Sequence, residues 1–195
     1  LVYVSPVMDE KKESKGEQES APVASSMPSV RVEEVLMRQA LEHMGKQEYE
    51  AAAGIYSDIL KRFAVSLDDV QKCMINSELG TVYFWLGDYE SARRHLEASL
   101  AYGDQNDQAY SILGKLAVAQ FQFPKARGYF SKISADNPAR PLGLCLVSIK
   151  LRDTKGTEAY LREAQGKLPS NDPEMRIYKA YHILLKGDAH GATAE

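Results

Sequence analysis

This 195-residue chain reads as an all-α fold of repeated helix pairs, and three observations carry that reading. Ala92 and Ala126 lie 34 residues apart, and the same spacing separates Gly80 from Gly114, Leu79 from Leu113 and Leu96 from Phe130. Self-similarity at such a fixed period marks stacked helix–turn–helix units, because one helix pair cannot bury its apolar face alone. Asn137-Pro138 and Asp172-Pro173 each place a capping side chain before a proline at the first helical position. Finally, no stretch has the alternation and β-branched richness of a strand.

The elements follow in chain order. Residues 1–29 pair an apolar run, Leu1 to Val7, with a mixed-charge tract poor in large apolar residues. Such a tract buries too little surface to offset its ordering entropy, so it reads as a flexible segment before a helical domain over 30–195. A first repeat falls near 33–66. There Ala40, Tyr49, Ala52, Tyr56 and Leu60 match Gly80, Tyr89, Ala92, Leu96 and Leu100 at an offset of 40, the period plus a six-residue insertion around 64–69. Ser66-Leu67-Asp68-Asp69 reads as a capping-box start for the next helix, with Asp in place of Glu or Gln.

The second and third repeats, 73–106 and 107–140, carry the clearest signal. Each sets a small residue (Gly80, Gly114) on the first helix and another (Ala92, Ala126) twelve residues later on the second, so that two helices can approach closely. Gly87 supplies the left-handed turn between them. Pro124 opens a helix, since a proline inside one costs about 3 kcal/mol. The fourth repeat, 141–172, is less regular, with Leu161 and Ala164 on its second helix. A partial fifth occupies 173–195. In it Ala180, Gly187 and Ala192 repeat the Gly80, Gly87 and Ala92 spacing, which predicts a turn at Gly187 and the start of another helix.

Leu79, Gly80, Tyr83, Gly87, Tyr89, Ala92 and Leu96 in one unit, with Tyr110, Leu113, Gly114, Ala126, Phe130 and Pro138 in the next, resemble the tetratricopeptide repeat (TPR) family. Ala117, where an aromatic is usual, and Phe121, at the turn glycine, depart from the pattern. The resemblance implies a right-handed α-solenoid of about four helix pairs plus a C-terminal helix, with the first helix of each pair lining a concave face. It puts Ser77, Glu78, Thr81, Phe84 and Trp85 on that face in the second repeat. In the third it puts Ser111, Ile112, Lys115, Val118 and Ala119 there, and in the fifth Ile177, Tyr178, Tyr181 and Leu185. Neutral Ser77, Thr81 and Ile112 stand where the family's clamp for a C-terminal carboxylate uses Lys, Asn and Arg, so that binding mode is not expected. The expected site is an apolar and aromatic groove built on Phe84, Trp85, Ile112, Val118, Tyr178 and Tyr181, taking an extended or helical segment of a partner protein.

Chemistry is scarce. The formal net charge is -3 and no sustained basic stripe appears, so nucleic acid and anionic membrane are not expected partners. Arg93-Arg94-His95 reads as a solvated helix face. No apolar run reaches the roughly 18 residues of a membrane span. His43, His95, His182 and His190 lack partners at metal-ligand spacing, with a helix end expected between the last two. Cys73 and Cys145 fall in different repeats and read as free thiols. Gly114-Lys115 lacks the other glycines of a phosphate loop, and no Gly-x-Ser-x-Gly occurs. Glu33-Glu34 and Asp68-Asp69 lie near helix starts, where they complement the helix dipole. No metal, cofactor or catalytic set is therefore expected.

The expected function is a non-enzymatic scaffold or adaptor. Its rivals are a secretion-type TPR chaperone for an unfolded cargo segment and a tethered accessory protein of the bacterial cell envelope. The start without Met and the charged tract place an exported or anchored protein ahead of a cytoplasmic one. Leu1 to Val7, on a tether spanning roughly 25 Å, offers a plug for the groove or a link for self-association.

Overall fold

The computed structural model describes residues 31–192, with side chains described as far as Gly187. The segment expected to be flexible lies outside the described residues. Among these, nine helices and no strand occur: α1 (Val32–Gly45), α2 (Tyr49–Arg62), α3 (Asp69–Leu86), α4 (Tyr89–Tyr102), α5 (Asp107–Ala119), α6 (Phe123–Lys132), α7 (Ala139–Lys150), α8 (Thr154–Gln165) and α9 (Pro173–Ala192). α1 packs on α2, α3 on α4, α5 on α6 and α7 on α8, and each pair leans on the next; α9 closes against α7 and α8. The result is an all-α helical-repeat solenoid of four helix pairs plus a C-terminal helix.

The backbone at the turns sets the repeat register. Gln47, Gly87, Phe121 and Arg152 all adopt positive φ, between 58° and 80°, at the turn inside the four pairs. Only one is glycine, although a left-handed conformation costs an ordinary residue about 1–2 kcal/mol. Seven residues before each turn stands Ala40, Gly80, Gly114 or Cys145; five residues after stands Ala52, Ala92, Ala126 or Thr157. These eight positions are buried. They form the close-approach seam of each pair, and at the fourth the Cys145 thiol donates to the Thr157 carbonyl (3.9 Å). Nine residues after the turn, Tyr56, Leu96, Phe130 and Leu161 fill the space beside the seam.

Counted by the turns, the spacings are 40, 34 and 31 residues. The fourth repeat falls out of period because the second helix of the third pair is short: α6 has 10 residues where α4 has 14. The first spacing is long because α3 has 18 residues against 13 in α5. The insertion is therefore not confined to the 64–69 loop, since most of it is an extra N-terminal turn of α3. That helix is capped two residues later than expected. The Asp68 carboxylate accepts from the Gln71 backbone N–H (2.8 Å), and the Gln71 side chain accepts from the Asp68 N–H (3.1 Å). Ser66 instead donates its hydroxyl to the Phe63 carbonyl (3.1 Å).

Asn137 and Asp172 do cap their helices, at 2.9 Å to the Ala139 and Met175 N–H groups, and Pro124 lies in the first turn of α6. The turn expected at Gly187 is absent, since α9 runs unbroken from Pro173 to Ala192. His182 and His190 thus share one helix. Glycine lowers helix stability by only about 1 kcal/mol, which 20 residues of continuous hydrogen bonding outweigh.

One packing detail escaped the sequence reading. The ring of Phe130, fully buried, is wedged between two glycines. A Cβ on Gly114 of α5 would lie 2.6 Å from its Cε1 and Cζ, and a Cβ on Gly143 of α7 would overlap its Cγ, Cδ1 and Cε1. α6 thus docks both neighbouring first helices through a single aromatic.

Candidate partner-binding face

Successive first helices touch, α3 with α5, α5 with α7 and α7 with α9, whereas no comparable contact joins α2 to α4, α4 to α6 or α6 to α8 among the described residues. An array whose first helices are closer together than its second helices curves with the first helices inside. α3, α5, α7 and α9 therefore form the inner face. Between α1 and α3 no comparable contact occurs among the described residues.

The residues expected to line a groove are distributed unevenly. Ile112 packs on Ala92 and Leu96; Val118 packs with Leu144 and Val147; Tyr178 joins Leu142, Cys145 and Leu161, its hydroxyl donating to Glu174 (2.7 Å). All three are buried, so they hold neighbouring pairs together instead of lining a groove. Phe84 is half-buried, its ring against Trp85 and Tyr89. Trp85 is 57% exposed but stacks on Tyr49 at the start of α2 (centroids 6.4 Å, 15°). It sits at the turn edge of the array, away from the cleft between α3 and α5. Tyr181 is 51% exposed on α9, in one stripe with Ile177 and Leu184. Among the described residues, burial between repeats thus consumes half of the expected wall of the groove, while Phe84, Trp85 and Tyr181 stay at least partly exposed.

What does open on the inner face is a cavity of about 460 Å³ between α3 and the start of α5. It takes in Ser77 and Glu78 from the expected set, with Cys73, Met74, Tyr102, Asn106, Asp107 and Gln108, none of which was expected on the partner-binding face. Asn106 organises the floor. Its carbonyl oxygen caps α5 by accepting from the Ala109 N–H (3.0 Å) and also accepts from the Ser77 hydroxyl (3.4 Å). Its amide donates to Ser99 (2.8 Å) and contacts the Cys73 sulfur (3.6 Å). Gln108 donates to Thr81 (3.0 Å), which in turn donates to the Ser77 carbonyl (2.9 Å). Thr81 is thereby buried as part of this network. The remaining expected residue, Lys115, lies beside a shallow cleft with Ser111, Glu174 and Tyr178.

The two carboxylates at this cavity differ. Burial raises the Asp107 carboxyl, but hydrogen bonds from the Ser134 N–H (2.9 Å), the Asn137 amide (2.8 Å) and the Ser134 hydroxyl (3.0 Å) outweigh it, and its pKa lies below the ordinary range. Asp107 is fully engaged in tying α5 to the α6–α7 loop. Burial raises the Glu78 carboxyl, and the one counterweight is a hydrogen bond from Gln108. Among the described residues no ion pair reaches Glu78.

No family model matches the chain, and no curated protein is detectably similar to it. Among solved structures, a thermophilic TPR protein of Thermus thermophilus superposes with a TM-score of 0.66 at 19% identity, over 80% of this chain and 83% of that one. A tetratricopeptide repeat protein of Parabacteroides merdae superposes with a TM-score of 0.62 at 15% identity, over 80% of this chain and 60% of that one. These likenesses show the fold, that of the tetratricopeptide repeat.

Proposed function

We propose that this chain, on its tetratricopeptide-repeat fold, is a non-enzymatic interaction scaffold that holds a segment of a partner protein along the row α3, α5, α7, α9. The observation that carries the reading is the 460 Å³ cavity, which opens on that row with polar groups already ordered around it. Binding sites are concave, largely preformed and furnished with a few converging polar groups. A repeat array adds to this a continuous inner surface on which an extended or helical segment finds successive contacts.

The test is a comparative pull-down from native extract with the full chain. One variant blocks the inner face at two half-buried or exposed positions, Met74→Arg with Lys115→Glu; a second alters the turn edge, Trp85→Glu. All are checked for native helicity. A partner lost from the inner-face variant and kept by Trp85→Glu supports the reading. The opposite pattern moves binding to the turn edge and overturns it.

A further inference from the structure

The α3–α5 cavity combines three properties that select one kind of side chain. Its floor carries carboxylates and neutral hydrogen-bonding groups, and none of its lining residues is a lysine or arginine. Its rim is apolar: Val70 from the extra turn of α3, Met74 just beyond it on the same helix, and Tyr102 from the end of α4 are all exposed. And one floor carboxylate, Glu78, sits half-buried without a cation, whereas Asp107 beside it has every neighbouring donor it needs. An apolar collar above an uncompensated carboxylate suits a long aliphatic stem ending in a positive charge. The Lys72 ammonium lies 5.8 Å from the Tyr102 ring centre, outside the cavity lining, so the incoming cation is drawn past it to Glu78 and not to the Tyr102 ring.

We infer that this cavity receives a lysine or arginine side chain of the partner segment, with Glu78 pairing with the cationic head and Met74 and Tyr102 flanking its stem. The inference rests on the inner-face reading and adds the chemistry of the segment: it carries a basic residue at the point where it crosses from α3 to α5. An acidic or purely apolar residue at that point leaves Glu78 desolvated and unpaired, at a cost of the kind that separates right partners from wrong ones. Burial already pushes the Glu78 carboxyl upward, opposing an unpaired charge at this position.

Cys73 provides a reporter. Its thiol is half-buried at the cavity wall, against Ser99 (3.4 Å) and the Gly103 carbonyl (4.0 Å). The other thiol, Cys145, is buried, and that burial pushes its pKa up to about 12, which keeps it unreactive in the folded chain. The experiment measures iodoacetamide alkylation of Cys73 in the full chain at millimolar concentrations of four blocked alanine heptapeptides. Their central residue is arginine, lysine, citrulline (the neutral isostere of arginine) or glutamate.

The expected result is protection by the arginine and lysine peptides, about tenfold weaker protection by citrulline, as for loss of one partly desolvated charge pair, and none by glutamate. Glu78→Gln, which keeps the shape of the side chain, should remove the difference between arginine and citrulline. Equal protection by arginine and citrulline in the wild-type chain sinks the charge inference while leaving a peptide-binding inner face. Absence of protection by every peptide also sinks it, and the pull-down then decides separately whether the inner face binds at all.

Discussion

Replacing Gly143 by alanine should destabilise the array, although alanine is the better helix former. Gly143 lies in α7 with its backbone against the Phe130 ring, and an added Cβ would overlap the ring at Cγ, its attachment point. The ring cannot swing away from that contact, because its other edge meets Gly114 and the side chain is fully buried. Overpacking of this kind costs about 1–3 kcal/mol, and an unyielding neighbour places this case near the upper end. Against it stands a helix-propensity gain of at most about 1 kcal/mol. The net is a loss of about 2 kcal/mol, or a melting temperature about 4–8 °C lower for a domain of this size. Gly128→Ala is the control. Gly128 lies in α6 with nothing within 4 Å of where its Cβ would sit, so the same substitution there should raise stability by about 0.5–1 kcal/mol. Thermal and urea unfolding followed by circular dichroism measure both. Phe130→Leu in the Gly143→Ala background should recover part of the loss. A Gly143→Ala variant as stable as Gly128→Ala would refute the wedge.

Three further outcomes are expected. Phe121 is 80% exposed and held at φ 58°, so Phe121→Gly should raise the urea midpoint by the equivalent of about 1 kcal/mol; a lowered midpoint would mean that its edge contact with Phe123 outweighs the backbone strain. His95, stacked on Tyr83 and bonded to Asn76, has its pKa held below the ordinary 6.5, first by burial and then by Arg94. The unfolded chain therefore takes up that proton first. Stability should fall as the pH is lowered through about 6.5 and beyond, and His95→Gln should flatten the slope in that window. Asp107→Ala strips three donors of their acceptor and should cost about 1–3 kcal/mol by urea unfolding; an unchanged midpoint would show that water replaces the carboxylate there without penalty.

The middle of the fold was legible because two consecutive repeats share one period and use small residues at both seam positions. Beyond them the same geometry persists with different chemistry. At the turns, Gln47, Phe121 and Arg152 take the glycine conformation without glycine; at the fourth seam, Cys145 and Thr157 stand where alanine or glycine stood before, three residues out of period. A residue pattern does not reveal a position defined by backbone torsion. Gly143 was invisible for a related reason: it serves contact between neighbouring pairs, whose position depends on how the array curves. Curvature also explains the site. Ile112, Val118 and Tyr178 occupy first-helix positions that a single helix wheel leaves open, and a neighbouring helix pair closes them, the preceding one for Ile112 and Tyr178 and the following one for Val118. Ser77 and Glu78 were legible by repeat position, whereas Asn106, Asp107 and Tyr102 enter the cavity from the inter-repeat connection and neighbouring helix ends, which the groove positions of the repeat do not cover.

The unequal turn-to-turn spacings have a consequence for anything lying along the inner face. A solenoid of constant repeat length presents the same notch at every step, and a long ligand can slip by one notch at little cost, like a rack on a pinion. Here the steps measure 40, 34 and 31 residues, and the extra turn of α3 puts Val70 at the α3–α5 cleft. No translation brings one cleft onto the next. On the proposed inner-face binding, a segment has a single alignment in which its contacts all fall due together, and the array would act as a keyed socket for it.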